Sequence, residues 1–204
     1  MMHDRAALAV FAKAPVPGAV KTRLAAGVGE ERAVAIYREL AGITARAVGA
    51  AGADRTFAYY APAGGEEAVR ELLGYPPWDF RVQVEGDLGA RMGAAMDEMH
   101  GECARAVIVG TDCPALDERG IASALARLRE VPLVLGPATD GGYYLVGLAR
   151  PAPGLFAGIP WSTPEVLRCT LERARAAGLT WSLLEPLADI DTEVDWRAWR
   201  EARA

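Results

Sequence analysis

The stretch AVIVGTDCP, residues 106–114, decides how the rest of the chain is interpreted. Its first five residues have the length and apolar composition of a buried strand. The carboxylate of Asp112 follows almost at once, and Pro114 ends the run. In open α/β sheets, ligands bind just beyond the carboxyl ends of the strands. The pattern therefore predicts a central strand that delivers an acidic side chain to a ligand site.

Similar apolar runs lie on both sides of this stretch and alternate with helical patterns. We expect further strands at 6–12, 55–61, 80–84, 132–138, 143–148 and 181–185. Helical patterns fall within 27–52, at 64–74, from about 88 to 100, from about 117, from about 163 to 177, and at 194–203. Strands separated by helices predict an α/β fold of three layers, α/β/α, around a mostly parallel sheet. We expect a single domain over residues 1–204, because no linker or repeat interrupts the pattern.

The composition excludes several classes of protein. With 204 residues, 51% of them hydrophobic and 24% charged, the chain can bury a full core and is not disordered. A net charge of −5 argues against a nucleic-acid or membrane-surface binder, since those carry broad basic faces. Three cysteines without a CxxC pair predict neither a disulfide framework nor a zinc site. We therefore expect a cytoplasmic protein with reduced thiols and no membrane partner.

The loop after the first expected strand concentrates the chain's lysines. The sequence has 20 Arg but only two Lys, and both lie in KAPVPGAVKTR, residues 13–23. Lys13, Lys21 and Arg23 thus fall within eleven residues, next to a predicted helix. Backbone amides and basic side chains in such a loop are what a phosphate group requires. The P-loop pattern is absent, and a solvated basic loop remains the alternative.

Acidic residues follow two of the expected strands. Asp112 at a strand end could hold Mg²⁺ against phosphate oxygens, or it could simply stabilise a turn. In ADIDTEVD, residues 188–195, extended backbone places Asp189 and Asp191 on the same side. Thr192 and Asp195 have the spacing of a helix-capping pair. Capping requires neither of the first two acids, so at least one of them is free to bind a metal.

Two glycine-containing motifs leave alternatives open. In GPATDGGYY, residues 136–144, a hairpin turn is favoured over a ligand loop, because Asp-Gly between two strands is a strong turn signal. In GDLGARM, residues 86–92, the backbone could seat a base or a ribose, or Asp87 could only cap the next helix.

Taken together, six motifs resemble the bacterial DUF2064 family, in the order LAVFAKAPVPGAVKTRL, GDLGARM, VGTDCPAL, GPATDGGYYLVGL, PWST and DIDTEVDW. Its members are described as glycosyltransferases associated with radical-SAM proteins, selenodomains or arsenosugar biosynthesis. The family is similar to the GT-A nucleotide-diphospho-sugar transferase superfamily. That superfamily includes molybdenum-cofactor nucleotidyltransferases and 2-phospholactate guanylyltransferases. The resemblance spans about residues 8–196 and implies a Rossmann-like GT-A fold.

The resemblance also implies roles for particular residues. They are Lys13, Lys21 and Arg23 for nucleotide phosphates, Asp112 and Asp191 for the metal, Gly86, Leu88 and Gly89 for the base or sugar, and Asp140, Gly141 and Gly142 for the acceptor. Lys21, Arg23 and Asp112 would carry the catalytic charge stabilisation, with Mg²⁺ or Mn²⁺ as cofactor. The loop after the first strand lacks the LxGGxxxRMG form of the better-known sugar-nucleotide enzymes, so the path of the phosphates does not follow from the resemblance.

Three functions are compatible with these residues. Nucleotidyl transfer from a nucleoside triphosphate to a small phosphorylated acceptor is favoured, because a triphosphate has the most charge for the basic loop to hold. Glycosyl transfer from a sugar nucleotide to a small acceptor is the alternative that the family's usual description favours. A non-catalytic nucleotide-binding protein is the third hypothesis.

Overall fold

The computed structural model describes residues 4–74 and 76–203. Its strands are β1 (Ala6–Lys13), β2 (Arg55–Ala61), β3 (Asp79–Val82), β4 (Arg105–Val109), β5 (Leu133–Pro137), β6 (Tyr143–Leu148) and β7 (Trp181–Leu183). Its helices are α1 (Thr22–Val28), α2 (Glu30–Ala50), α3 (Glu66–Leu73), α4 (Leu88–His100), α5 (Glu118–Arg127), α6 (Val166–Ala176) and α7 (Glu193–Glu201), with a 3₁₀ turn at Ala63–Gly65.

The strands form one sheet in the order β3-β2-β1-β4-β6-β5-β7. Strands β3, β2, β1 and β4 are mutually parallel, and β7 is parallel to β5. Strand β6 runs antiparallel to both of its neighbours, β4 and β5. The expected α/β fold with a mostly parallel sheet is confirmed, with one reversed strand inserted in its second half.

Two helical layers cover the sheet because alternate strand residues face opposite sides. In β1, Leu8 and Val10 belong to the core cluster with α2, α3 and α5. Their neighbours Ala7 and Ala9 belong to the cluster with α4 and α6. A central strand that is buried on both faces shows a continuous apolar run rather than an alternating one, as residues 6–12 do.

A smaller core lies beside the carboxyl end of β1 and joins the two ends of the chain. Leu24 of α1, Leu40 of α2, Ile190 and Trp196 of α7 pack together there. This packing fixes the segment before α7 against the loop before α1. Across the described residues, no helix has the length and apolar character needed to cross a membrane.

Several element boundaries differ from those expected. Strand β7 ends at Leu183 rather than at residue 185, and α7 ends at Glu201 rather than at residue 203. The loop after β1 continues into an additional short helix, α1, and β3 ends at Val82 rather than at residue 84. Helix α6 begins at Val166, not at Thr163, because Pro164 disfavours the helical conformation at the residue before it. The hydroxyl of Thr163 accepts a hydrogen bond from the Glu165 amide in the turn that precedes the helix.

Candidate active site

A cleft of about 720 Å³ lies at the carboxyl ends of β1 and β4. Six of the residues singled out in the sequence line it: Lys13, Lys21, Arg23, Gly86, Leu88 and Asp112. Parallel strands bring loops that are far apart in the chain to one edge of the sheet, so the cleft follows from the topology. Asp189 also lines it, and Asp191 contacts two of the lining side chains.

The two lysines of the loop have different environments. Lys13 ends β1 with an exposed side chain, while its backbone is held by the Tyr37 hydroxyl. That hydroxyl accepts from the Lys13 amide at 2.9 Å and donates to the Lys13 carbonyl at 3.0 Å. Lys21 precedes α1 with a φ of 50°, and its side chain is only 5% exposed. The sequence does not separate these roles, because both lysines belong to the same loop.

Lys21 is buried against the two acids expected to bind a metal. Its ammonium lies 2.8 Å from Asp112 Oδ1 and 3.4 Å from Asp191 Oδ1, and it donates to the Ile190 carbonyl. Arg23, with a side chain 72% exposed, contacts the other oxygen of Asp191 at 2.6 Å. Two of the three expected phosphate-binding cations are thus paired with the expected metal ligands.

The acidic segment reaches the cleft through backbone contacts. The amide of Ile190 donates to the carbonyl of Asp112 at 2.8 Å, which joins the segment after β7 to the loop after β4. The Ile190 side chain is buried in the small core beside α1. A capping box between Thr192 and Asp195 starts α7 immediately afterwards, as expected. The backbone therefore holds Asp112 and Asp191 close together, although 79 positions separate them in the sequence.

Asp189 is the most strongly perturbed acid of the cleft. Burial, together with the nearby carboxylates of Asp112, Asp140 and Asp191, raises the pKa of its carboxyl to about 7. Its Oδ1 atom is buried and has no hydrogen-bond partner among the described residues. An unpartnered carboxylate oxygen that faces other carboxylates indicates a place where positive charge would be favourable.

This donor set fits a hard divalent cation. Mg²⁺ and Mn²⁺ prefer carboxylate oxygens, and three carboxyl groups converge on this side of the cleft. Within residues 4–74 and 76–203, however, no three acidic, His or Cys side chains already surround one metal position. Asp112 and Asp191 instead surround the Lys21 ammonium. A metal could use these two ligands after the ammonium moves away.

The glycine motif before α4 contributes both structure and cleft surface. The Asp87 side chain accepts a hydrogen bond from the Ala90 amide at 2.8 Å, so the capping interpretation is correct for that residue. Gly86 and Leu88 also line the cleft. Gly89 lies beneath the indole of Trp161, where an added Cβ would be 2.9 Å from the ring nitrogen. Of the three residues expected near the base or sugar, Gly89 is the one outside the cleft lining.

The motif around Asp140 forms the hairpin turn between β5 and β6, which is the interpretation that the sequence favours. Gly142 donates its amide to the Asp140 side chain at 2.9 Å. Gly141, at a φ of 92°, packs so closely on Pro164 that a Cβ would lie 2.2 Å from its carbonyl oxygen. These three residues, expected on the acceptor side, are outside the cleft lining, although Asp140 is close enough to raise the pKa of Asp189.

Several cleft residues are not evident from the sequence. Tyr37 fits the apolar periodicity of α2 and so resembles an ordinary core residue. Trp161 lines the cleft with a buried indole N–H that has no partner among the described residues. Gln83 also lines it, and its side chain donates to the Tyr59 carbonyl at 2.9 Å. Gln83 had one available signal, since it is the sole side-chain amide in the chain.

Comparison with known proteins places this geometry among nucleotide-dependent enzymes. The sequence profile of the DUF2064 family, described as an uncharacterized protein conserved in bacteria, matches residues 44–163. A crystal structure from Desulfovibrio desulfuricans G20, provisionally named a nucleotide-diphospho-sugar transferase, is 33% identical with a TM-score of 0.87, over 97% of this chain and 87% of that one. No curated protein matches the sequence.

More distant structures share the fold. Rv0371c from Mycobacterium tuberculosis H37Rv, solved in complex with manganese, is 19% identical with a TM-score of 0.63, over 97% of this chain and 98% of that one. A CMP:2-keto-3-deoxy-manno-octonic acid synthetase complexed with CTP is 15% identical with a TM-score of 0.61, over 98% of both chains. The seven-stranded sheet is therefore the Rossmann-like sheet of nucleotide-diphospho-sugar transferases. The family profile covers more than half of this chain, and the D. desulfuricans relative matches almost its whole length. The chain therefore belongs to the bacterial DUF2064 family.

Proposed function

We propose that this protein is a divalent-metal-dependent nucleotidyltransferase that joins a nucleotide to a small phosphorylated acceptor and releases pyrophosphate. It is a transferase of the nucleotide-using kind, as its structural relatives are named. One observation carries the proposal. Basic side chains from the loop after β1 and carboxylates from the loop after β4 and from the segment between β7 and α7 meet in a single cleft.

Each group has a distinct part in this reaction. Lys13, Lys21 and Arg23 would hold the triphosphate oxygens and balance the charge that moves to the leaving pyrophosphate. Asp112 and Asp191 would hold Mg²⁺ or Mn²⁺, with Asp189 behind them. When bound, the cation neutralises phosphate oxygens and orients them for displacement. Manganese in Rv0371c and CTP in the synthetase support these ligand classes.

The bond changes need no protein nucleophile. An oxygen of the acceptor phosphate attacks the α-phosphorus, and the bond from that phosphorus to the bridging oxygen breaks. The oxygen is already ionised, so no proton has to be removed. Burial raises the pKa of both the Cys113 thiol and the Tyr37 phenol to about 12. The raised pKa values disfavour an ionised thiolate or phenolate at these two positions, and the proposed reaction depends on positioning and charge.

Glycosyl transfer is the second candidate. The D. desulfuricans relative, at 33% identity, carries a sugar-nucleotide transferase name, and this observation favours it. In that reaction the same cations and acids would hold the diphosphate leaving group, while an acceptor attacks the anomeric carbon.

One pair of assays distinguishes the two reactions. The protein is incubated with Mg²⁺ or Mn²⁺ and either the four nucleoside triphosphates or a panel of sugar nucleotides, each with phosphorylated and hydroxylated acceptors. Pyrophosphate release from a triphosphate supports nucleotidyl transfer. Nucleoside diphosphate release from a sugar nucleotide overturns it in favour of glycosyl transfer. If no combination of nucleotide and metal raises the melting temperature, both proposals fail.

A further inference from the structure

The Lys21 ammonium occupies the position at which the two acids of the cleft converge. It lies 2.8 Å from Asp112 and 3.4 Å from Asp191, and the side chain is 5% exposed. The carboxylates are more open, with side chains 45% and 24% exposed. Lys13, the other lysine, is exposed, and no acid lies within ion-pair distance of it in the described part of the chain.

The local backbone supports a dedicated position for this side chain. Lys21 adopts a left-handed φ of 50° immediately before α1, a conformation that side-chain-bearing residues seldom adopt. Its side chain does not cap the helix. The ammonium also donates to the Ile190 carbonyl, in the segment whose own amide donates to Asp112. Three contacts thus hold one positive charge between the acids.

A divalent cation and this ammonium cannot share the same two carboxylates at close range. Like charges at contact distances in a partly buried site repel strongly, and the Lys21 ammonium already contacts one oxygen of each carboxylate. A metal ion that enters must therefore displace Lys21. Displacement leaves a buried ammonium without a partner, which is unfavourable unless another anion accepts it.

Nucleotide phosphates are such an anion, and they are expected in the same cleft. We propose that Lys21 and the divalent cation compete for Asp112 and Asp191, and that the cation binds well when nucleotide phosphates draw the ammonium away. This inference rests on the proposed function. It adds an order of binding: free metal binds poorly, and metal and nucleotide enter together. Arg23, which pairs with Asp191 from the solvent side, reinforces the same exchange.

The test measures metal binding without catalysis. Free Mn²⁺ is followed by electron paramagnetic resonance during titration of nucleotide-free protein, as wild type, Lys21→Met and Lys13→Met. Removal of the competing ammonium should tighten Mn²⁺ binding about tenfold or more in Lys21→Met, because a contact ion pair at a partly buried site is lost. Lys13→Met should bind Mn²⁺ as the wild type does. Equal or weaker binding by Lys21→Met overturns the inference.

A second measurement uses the wild type and does not depend on the folding of a variant. With isotope-labelled lysine, the two side chains give two sets of NMR signals. Magnesium with inorganic tripolyphosphate should shift the Lys21 signal, whereas the same magnesium concentration alone should leave it in place. A full shift with magnesium alone overturns the inference.

A third variant separates this inference from the function on which it rests. Asp112→Asn should lose Mn²⁺ binding both with and without tripolyphosphate. If it does, while Lys21→Met equals the wild type, the metal site stands and the competition is wrong. If Asp112→Asn binds Mn²⁺ normally, the metal assignment in the proposed function itself is wrong.

Discussion

The sheet has a parallel half, β3-β2-β1-β4, and a mixed half, β6-β5-β7. The polar groups in the loops of the two halves have different hydrogen-bond partners. At the end of the parallel half, the groups after β1 and β4 face an open cleft. In the mixed half, several polar groups of the turn at residues 138–142 are paired with one another. Ala138 donates to the Gly142 carbonyl at 3.0 Å, Gly141 donates to the Ala138 carbonyl at 3.1 Å, and Asp140 accepts from Gly142.

The difference shows where ligand chemistry can take place. Backbone hydrogen bonds within a turn leave little for a ligand to add, whereas the charged side chains of the cleft can exchange their present partners or water for a charged ligand. The mixed half still contributes the acids, because the segment after β7 crosses to the cleft. Leu187 pairs with Ala138 in a parallel bridge, and three residues later Ile190 donates to Asp112. The cleft is therefore a joint product of both halves.

Asp112→Asn should give the largest effect, because it removes the charge of a proposed metal ligand in the cleft. We expect metal-dependent turnover to fall at least about 100-fold, as for loss of a principal transition-state charge contact. The melting temperature should stay close to that of the wild type, since the backbone carbonyl that holds Ile190 is kept. Steady-state kinetics and thermal unfolding test this.

Asp117→Asn is the matched control for that prediction. Asp117 caps α5 by accepting from the Gly120 amide at 2.9 Å, and Asn caps equally well. Activity and stability should both match the wild type. If Asp112→Asn turned over at the wild-type rate, Asp112 would have no place in the metal site.

Gly141→Ala should give the largest loss of stability in the mixed half. Its φ of 92° disfavours any Cβ, and that Cβ would meet the Pro164 backbone at 2.2 Å. We expect about 3 kcal/mol less unfolding free energy, measured by urea titration. Gly154→Ala has a similar φ of 78° but open space around it, so it should lose only about 1 kcal/mol. Equal losses of unfolding free energy in the two variants would show that the contact with Pro164 does not contribute to the destabilisation.

Tyr37→Phe should have an intermediate effect in the parallel half. The Tyr37 hydroxyl is the partner of both backbone groups of Lys13, at 2.9 Å and 3.0 Å. Its removal leaves buried polar groups unpaired, so we expect about 2 kcal/mol less unfolding free energy and weaker nucleotide binding. Tyr60→Phe is the control, because that hydroxyl meets only the partly exposed carboxylate of Glu66. A loss as large in the control would contradict the prediction.

Thr192→Ala should have the smallest effect. It should act on the segment after β7 that crosses from the mixed half of the sheet to the cleft. Thr192 caps α7 in a capping box, and loss of such a cap costs about 1 kcal/mol. Because Asp191 immediately precedes the cap, Mn²⁺ binding in the presence of nucleotide should weaken slightly as well. Thr192→Ser keeps the hydroxyl and should restore both. Persistent weakening in the Ser variant would mean that the methyl group, not the cap, holds the segment.

Most of the fold can be predicted from the chain's local patterns. The apolar runs at 106–110 and 143–148 and the helical pattern at 88–100 agree with β4, β6 and α4 within one residue at each end. Buried strands and capped helices carry their signals within a few residues. Helix α1 and the start of α6 were not predicted, because each follows a residue with left-handed backbone, Lys21 or Ser162, and neither Lys nor Ser is a residue type that indicates this conformation.

The candidate site is less completely predictable. The sequence motifs contain the two lysines, the arginine and the acids of the site. Because these residues follow strands, they are expected to lie at one edge of the sheet. The sequence does not indicate that Lys21 is paired with acids while Lys13 has no ion-pair partner among the residues described, or that Tyr37 holds Lys13 in place. Those distinctions depend on burial and on hydrogen bonds across 24 to 170 positions of the chain.

The sequence alone determines the alternation of strands and helices and the types of charged side chain that the site can use. It also leads to the expectation that phosphates meet carboxylates at the strand ends. These follow from short-range periodicity and from residue type. The tertiary structure decides which partners each charge has. It reverses β6, closes the Asp140 turn on itself and places the Lys21 ammonium between Asp112 and Asp191. Electrostatic energy depends on distance and burial, and neither quantity exists until the chain has folded.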